Sequence, residues 1–219
     1  MDKIYRVFFP PKSLYAEADV VNPIYSNTGV AKCPLCARVV SGQTWLSPKT
    51  IRINKKKKPD FLYGYGFDMP FLVSKKFIEC YQKSNLSGIL NSTPIDSIKY
   101  KNTEIEDNYF HINVERLNIS IDHNKSKISY GKEFVGKKCL CCNSMNRTID
   151  FIQSLVLNLK NYTGTDIFKI YELGDAVFVS QQFIDFCNQY SLSNIFVKNI
   201  LEGEDGLEDI FSFEELDNL

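Results

Sequence analysis

Short strand-like runs and two amphipathic segments set the pattern of apolar and polar positions along this chain. Residues 71–74 (FLVS) and 177–180 (VFVS) are β-branched and aromatic runs that end in serine. A serine hydroxyl can accept hydrogen bonds from the first amides of a helix, so Ser74 and Ser180 are predicted N-caps. The segments that follow have apolar residues at helical spacing: Phe77, Ile78, Cys80 and Tyr81 in the first, and Phe183, Ile184, Phe186 and Cys187 in the second. Just beyond them lie Gly88 and Asn194, residue types that adopt the left-handed conformation at a helix end.

The second half of the chain repeats the first at a spacing of 106 residues (139 − 33). This register places Cys33 on Cys139 and Asp60 on Asp166, and it continues without a gap to the Leu-Ser pairs at 86–87 and 192–193. Before its helix, each copy also carries strand-like runs, at 50–53 and 60–62 in the first and at 156–159 and 166–168 in the second. A repeat of this kind indicates a duplicated structural unit.

The predicted fold is α+β and internally duplicated, with two strand-strand-helix halves related by a pseudo-twofold axis and joined at a zinc site. In this prediction residues 1–219 form a single globular unit. Residues 1–95 are the first half, with an N-terminal strand and the first repeat at 32–89, and residues 138–201 are the second repeat. Between them, residues 96–137 are connecting strands that insert a β-hairpin, in which alternation at Phe110, Ile112 and Val114 predicts an outward polar face. Residues 202–219 are an acidic C-terminal segment.

Two CxxC motifs, Cys33/Cys36 and Cys139/Cys142, are candidates for a metal site. Four thiolates supplied in two pairs are a typical ligand set for structural zinc, and a closed sulfur shell leaves no position for a reactive water. We therefore expect one structural Zn²⁺ ion. Cys141 lies inside the second motif and could replace one ligand. A metal-free pair of buried thiol turns and a dithiol redox role are the alternatives.

The distribution of charge narrows the range of partners. Lys+Arg and Asp+Glu are 26 each, so no overall charge marks a nucleic-acid binder. No run has the apolar length of a signal peptide or a membrane helix, and a cytoplasmic location is expected. After Lys198 there is no basic residue, and the acidic and apolar side chains there are candidates for binding a partner: Glu204, Asp205, Glu208, Asp209, Phe211, Glu214 and Glu215. An amphipathic helix packed on its own domain is the alternative.

Few side chains could carry catalysis. His111 and His123 are the two histidines, and both are expected at the solvated surface. No serine, cysteine or aspartate lies at a spacing that would pair it with either histidine, so no enzymatic activity is predicted. Asp60 and Asp166 each begin a strand, where a turn or cap role is favoured over a catalytic carboxylate pair. The lysine run at 55–58 could contact a nucleic-acid backbone, although a solvated loop between two strands is favoured. The cysteines on the helical segments, Cys80 and Cys187, are predicted core residues.

Several motifs are distributed over nearly the whole chain: Tyr5-Arg6-Val7, Cys33-Pro34-Leu35-Cys36 followed by Thr44-Trp45, the second CxxC, Asp166-Ile167-Phe168-Lys169 and the strand-Ser-x-x-Phe-helix element. Together with the duplication, this pattern resembles the double-CXXCG family. The glycines of the family's name are absent here. Some members are immunity proteins, so the resemblance implies a protein that binds and neutralises a cognate bacterial toxin by occlusion. Membrane, nucleic acid and small-molecule substrates are not expected as partners. A zinc-ribbon-like nucleic-acid-binding or regulatory protein that uses the lysine run is the alternative.

Overall fold

Most of the regular structure of this protein is β-strand. The computed structural model describes residues 3–8, 16–26, 36, 44–55, 58–65, 71–133, 139, 147–173 and 176–200. These residues contain nineteen strands and two α-helices. Two large sheets hold most of the strands, and both helices pack against them.

The larger sheet has eight strands. In chain order they are β2 (Glu17–Val21), β5 (Thr50–Ile53), β6 (Phe61–Tyr65), β7 (Phe71–Ser74), β8 (Ile89–Pro94), β9 (Ser97–Tyr100), β10 (Thr103–Glu104) and β11 (Tyr109–Val114). Their order across the sheet is β10-β9-β5-β2-β6-β7-β11-β8. The β2–β6 and β5–β9 pairs are parallel, and the other pairs are antiparallel.

The smaller sheet has five strands and joins the two ends of the chain. Its strands are β1 (Ile4–Val7), β12 (Arg116–Leu117), β17 (Ile167–Ile170), β18 (Val177–Ser180) and β19 (Val197–Asn199), in the order β12-β17-β18-β1-β19. Three two-stranded ribbons are separate from both sheets: β3 (Ile24–Ser26) with β4 (Thr44–Leu46), β13 (Ser120–Ile121) with β16 (Leu157–Asn158), and β14 (Lys127–Glu133) with β15 (Arg147–Ser154). Residues Leu159–Asn161 and Tyr171–Leu173 form short 3₁₀ helices.

Both α-helices begin where the sequence predicts. Helix α1 spans Lys75–Gln82 and helix α2 spans Gln181–Gln189. The hydroxyl of Ser74 accepts from the N–H of Phe77 at 3.1 Å, and the hydroxyl of Ser180 accepts from the N–H of Phe183 at 3.1 Å, which confirms both N-caps. In the part of the chain that the structure describes, no helix is long and apolar enough to cross a lipid bilayer.

Three hydrophobic cores are layered on the two sheets. The central core contains Phe61 and Val73 from the larger sheet, Ile167 and Val179 from the smaller sheet, and the apolar faces of both helices. A second core covers the opposite face of the larger sheet, and its members are Ala16, Ala18, Trp45, Ile51, Ile53, Leu62, Leu72, Ile95, Ile98 and Tyr109. A third core covers the opposite face of the smaller sheet and includes Ile4, Phe168 and Phe178. The continuous apolar runs of the central strands follow from this layering, because successive side chains enter cores on opposite faces.

The predicted α+β fold, with two equivalent strand-strand-helix halves, is wrong. The chain is mostly β, and sheets of eight and five strands are not two copies of one unit. Residues 97–133 contribute six strands, β9 to β14, where the sequence pattern predicts an inserted hairpin. Several of these strands are two residues long, and such strands depend on their pairing partners more than on their own residues. Among the described residues there is no group of three or more His, Cys, Asp or Glu side chains that could hold a metal ion.

The left-handed conformation predicted at Gly88 and Asn194 is present, with φ of 108° and 65°. Both helices end before these positions, so the predicted helix-cap role is wrong. A Cβ atom at Gly88 would lie 1.8 Å from the carbonyl oxygen of Ile167, and the side-chain amide of Asn194 donates to the carbonyl oxygen of Phe61 at 2.6 Å. We call β6, β7 and α1 the first strand–helix unit and β17, β18 and α2 the second. The two positions are therefore where the chain after each helix passes against a strand of the other unit.

Candidate functional site

Two buried aspartates stand at matching positions before β6 and β17. A carboxylate oxygen of Asp60 accepts from the hydroxyl of Ser74 at 2.7 Å, and a carboxylate oxygen of Asp166 accepts from the hydroxyl of Ser180 at 2.7 Å. Each serine is also the N-cap of the following helix. The aspartate therefore orients the hydroxyl that caps its own helix.

The second oxygen of each carboxylate reaches the other unit. Asp60 accepts from the backbone N–H and the hydroxyl of Ser193, both at 3.0 Å. Asp166 accepts from the backbone N–H of Ser87 at 2.9 Å and from its hydroxyl at 3.1 Å. We call these sets the Asp60 network (Asp60, Ser74, Ser193) and the Asp166 network (Asp166, Ser180, Ser87). The two networks are reciprocal: Asp60 binds the segment that follows α2, and Asp166 binds the segment that follows α1.

The two networks have a structural role. Asp60 is 8% exposed and Asp166 is 5% exposed, and each carboxylate accepts three hydrogen bonds from serine. Buried charges persist in proteins when they are hydrogen-bonded in this way. The predicted structural role of both aspartates is present, although the helix caps are the serines that they orient. The networks add a connection between the units that spacing alone does not indicate.

His111 does not lie on a solvated face. Its side chain is partly buried on β11, and its ring lies 5.8 Å from the ring of Trp45 at an interplanar angle of 71°. Burial, together with the positive charges of Lys49 and Lys169, lowers the pKa of His111 to about 4. The imidazole is therefore neutral at pH 7, and the predicted surface position is wrong.

Three more polar side chains lie around His111. Trp45 is 5% exposed, Lys49 is 7% exposed, and Thr93 is the residue directly opposite His111 in the β8–β11 pair. The indole nitrogen of Trp45 and the hydroxyl of Thr93 are buried and have no hydrogen-bond partner within the described residues. We call Trp45, Lys49, Thr93 and His111 the His111 cluster.

The other histidine contacts a buried carboxylate. Nε2 of His123 lies 2.9 Å from a carboxylate oxygen of Glu172, whose side chain is almost fully buried. The imidazole itself is 29% exposed. This contact attaches the turn before β14 to the 3₁₀ helix at Tyr171–Leu173, so His123 also has a structural partner that its sequence position does not reveal.

Half of the predicted zinc ligands can be located. Cys33 and Cys142 lie outside the described residues, and so does Cys141. Cys36 is exposed and Cys139 is buried. The structure therefore describes one cysteine of each CxxC motif and does not test the four-cysteine site.

The helical cysteines occupy the predicted core. Cys187 is fully buried, and burial raises the pKa of its thiol. Cys80 packs against the same central core. A thiol held neutral among apolar side chains is unreactive, so Cys187 serves packing.

The two charged segments differ in how much of them is described. The predicted partner-binding residues Glu204, Asp205, Glu208, Asp209, Phe211, Glu214 and Glu215 all lie outside the described residues. In the lysine run, Lys58 donates to the carbonyl oxygen of Glu106 at 2.8 Å and lies 3.5 Å from a carboxylate oxygen of Asp107. Lys58 is thus engaged within the chain, while Lys55 is exposed.

The sequence does not indicate that the members of the His111 cluster lie close together. Its members come from β4, from the turn before β5, from β8 and from β11, and no spacing rule links these segments. A weak signal is that Trp45 is the single tryptophan of the chain. The alternation in β11 is genuine, but the side of the strand that carries His111 faces the second core instead of solvent.

Comparison with known proteins identifies the family. Residues 37–201 match the sequence model of an immunity protein family, described as Immunity protein family (Imm11). The match covers more than half of the chain and includes the Asp60 network, the Asp166 network and the His111 cluster. The protein therefore belongs to the Immunity protein family (Imm11). The match begins after Cys36 and does not show membership of the double-CXXCG family. No curated protein matches the chain.

Proposed function

We propose that this protein neutralises a cognate bacterial toxin by binding it and occluding its active surface. The observation that carries the proposal is the family match over residues 37–201, since immunity proteins protect a cell against a toxin. The partner class is therefore a protein toxin. We place the encounter in the cytoplasm, in keeping with the apolar pattern of the sequence.

The described polar side chains favour binding over catalysis as the mechanism. The neutral His111 packs against Trp45, and His123 is paired with Glu172. Asp60 and Asp166 use their carboxylate oxygens to hold serines. A general acid or base must reach a reacting group with a suitably matched pKa, and these groups are committed to the fold instead.

The acidic C-terminal segment is the first surface that we propose for toxin binding. An acidic segment can accelerate capture of a basic partner because opposite charges steer the encounter. Ile200 is buried, and its N–H donates to the carbonyl oxygen of Ile4 at 3.2 Å. A truncation should therefore end after Ile200, which leaves β19 and the third core intact. We expect this variant to fold like the full chain and to bind the toxin more weakly, with most of the loss in the association rate at low salt.

We also propose that Cys33, Cys36, Cys139 and Cys142 hold one structural zinc ion. The support is the donor set itself, two CxxC pairs at matching positions of the repeat. Such a site would stabilise the fold, because metal binding free energy adds to folding free energy.

Co-expression with the toxin tests the proposed function. Cells that express a toxin encoded beside this gene should stop growing, and expression of this chain should restore growth. An exchange of the partner for an unrelated toxin should abolish the rescue, because the contact is specific. Continued growth arrest in the presence of soluble, folded chain would refute the proposal.

A further inference from the structure

The His111 cluster contains buried hydrogen-bond donors that the described chain leaves unused. The indole N–H of Trp45 and the hydroxyl of Thr93 are enclosed and have no partner within the described residues. Native proteins rarely bury such groups without a partner, and an exception calls for a ligand or an ordered water. Both groups adjoin His111, Trp45 through its ring and Thr93 across the strand pair.

The charge around these donors is positive. Lys49 is 7% exposed, and no ion pair to its ammonium group occurs within the described residues. Its backbone is held firmly: the N–H of Lys49 donates to a carboxylate oxygen of Asp96 at 2.6 Å, and the N–H groups of Asp96 and Ser97 donate to the carbonyl oxygen of Lys49 at 2.9 and 3.2 Å. Asp96 is the acidic residue beside this turn. Its carboxylate binds the main chain of Lys49 and also interacts with the charge of Lys49, although the two side chains do not form an ion pair.

An acceptor with negative charge fits these donors best. An indole N–H, a hydroxyl, an ammonium and a neutral imidazole can all donate, and a carboxylate has two oxygens that can accept from several donors at once. A neutral acceptor would use the indole and the hydroxyl but would leave the ammonium with only the charge of Asp96, which forms no ion pair with it. A carboxylate can accept hydrogen bonds from these donors and also supplies a negative charge.

We propose that the His111 cluster binds a carboxylate group, and that an acidic side chain of the bound toxin supplies it. The proposal rests on the proposed function and names a recognition element for it. His111 and Thr93 are the partly exposed members of the cluster, so the carboxylate approaches on the side where these two residues face each other. Trp45 lies on the β3–β4 ribbon, which is separate from both large sheets, and its side chain packs in the second core.

The single tryptophan makes the site directly observable. In the full chain labelled with ¹⁵N-tryptophan, the Trp45 indole N–H gives one resonance. Titration with sodium acetate at pH 7 should shift it downfield along a saturable curve, and sodium chloride at equal ionic strength should not. An equal response to both salts would mean that the cluster senses ionic strength only, and would overturn the proposal.

Variants of the cluster identify the donors. Lys49→Met should weaken acetate binding at least tenfold, and Thr93→Val, which keeps the side-chain shape, should weaken it severalfold. Lys125→Met is the matched control, because the side chain of Lys125 is 72% exposed, and it should bind acetate like the unchanged chain. If Lys49→Met fails to fold, Thr93→Val decides the question. Unchanged acetate affinity in the folded variants would refute the site.

Two further measurements distinguish the source of the carboxylate. If removal of residues 201–219 shifts the indole resonance and tightens acetate binding, the chain's own acidic segment is the occupant, and the toxin as source is wrong. An unshifted resonance supports the toxin. Lys49→Met should also weaken toxin binding at least tenfold while Lys125→Met does not, and equal affinities would reject the toxin as occupant. Acetate binding without rescue of growth would preserve the site and refute the proposed function separately.

Discussion

Removal of the Asp166 carboxylate should destabilise the fold strongly. In Asp166→Ala, the hydroxyl of Ser180 and both the N–H and the hydroxyl of Ser87 lose their acceptor. Ser180 would still cap α2, but without the carboxylate that orients it. The segment after α1 would lose its attachment to the start of β17, so the effect should extend beyond one helix.

The magnitude follows from the donors left behind. A buried donor without a partner costs about 1–3 kcal/mol, and three of them give roughly 3–6 kcal/mol after allowance for hydroxyl rotation and water entry. A domain has only about 5–15 kcal/mol of stability in total. Asp60→Ala removes the same three contacts, to Ser74 and Ser193, and should have a similar cost.

Urea denaturation followed by Trp45 fluorescence measures the change. Asp185→Ala is the matched control, because Asp185 is exposed on α2 and accepts one hydrogen bond, from Gln181 at 2.9 Å. It should change the free energy of unfolding by less than about 0.5 kcal/mol. Combination of Asp166→Ala with Ser87→Ala should cost clearly less than the sum of the single changes, because the two residues share one contact. If Asp166→Ala lies within about 0.5 kcal/mol of the control, the account of the networks fails.

Three further predictions concern the backbone, the imidazole and the metal. Gly88→Ala should lower the free energy of unfolding, measured by urea denaturation, by at least about 3 kcal/mol, because its Cβ would clash with a backbone carbonyl. Gly164→Ala is the control: Gly164 also has a positive φ, of 85°, but open space around it, and the change should cost only about 1 kcal/mol. Equal costs would contradict the close approach at Gly88. The pKa of His111 falls from 6.5 in the unfolded chain to about 4 in the folded chain, so the unfolded chain binds a proton more readily between these values. The free energy of unfolding should therefore be highest above pH 6.5 and should decrease by roughly 3 kcal/mol as the pH falls towards 4. His111→Gln should flatten that part of the stability–pH curve, and an unchanged slope would show that His111 is not responsible. Elemental analysis should find one zinc per chain, and a stable protein without metal would refute the zinc site.

Local features of the fold could be predicted from the sequence, and pairings between distant segments could not. Ser74 and Ser180 follow from a short-range rule, since an N-cap needs only a hydroxyl before an amphipathic run. The 106-residue register also places Asp60 on Asp166. It does not reveal that Asp60 contacts Ser193, which lies 133 residues away along the chain. That contact depends on how the two units pack.

The strands of the connecting segment show a second limit. The pattern at Phe110, Ile112 and Val114 correctly identifies one buried face of β11. The other face carries Tyr109, which belongs to the second core, and His111, which contacts Trp45. Alternation of apolar and polar residues cannot show whether a polar side chain faces water or a second layer, because this depends on which segment covers the sheet.

Titration of the purified toxin with the purified chain tests neutralisation by binding most directly. Residual toxin activity should fall in proportion to the chain added and should vanish near an equimolar ratio, because each bound chain occludes one toxin molecule. Loss of all toxin activity at a small fraction of that ratio would indicate a catalytic mechanism. Full toxin activity in the presence of excess folded chain would contradict binding altogether.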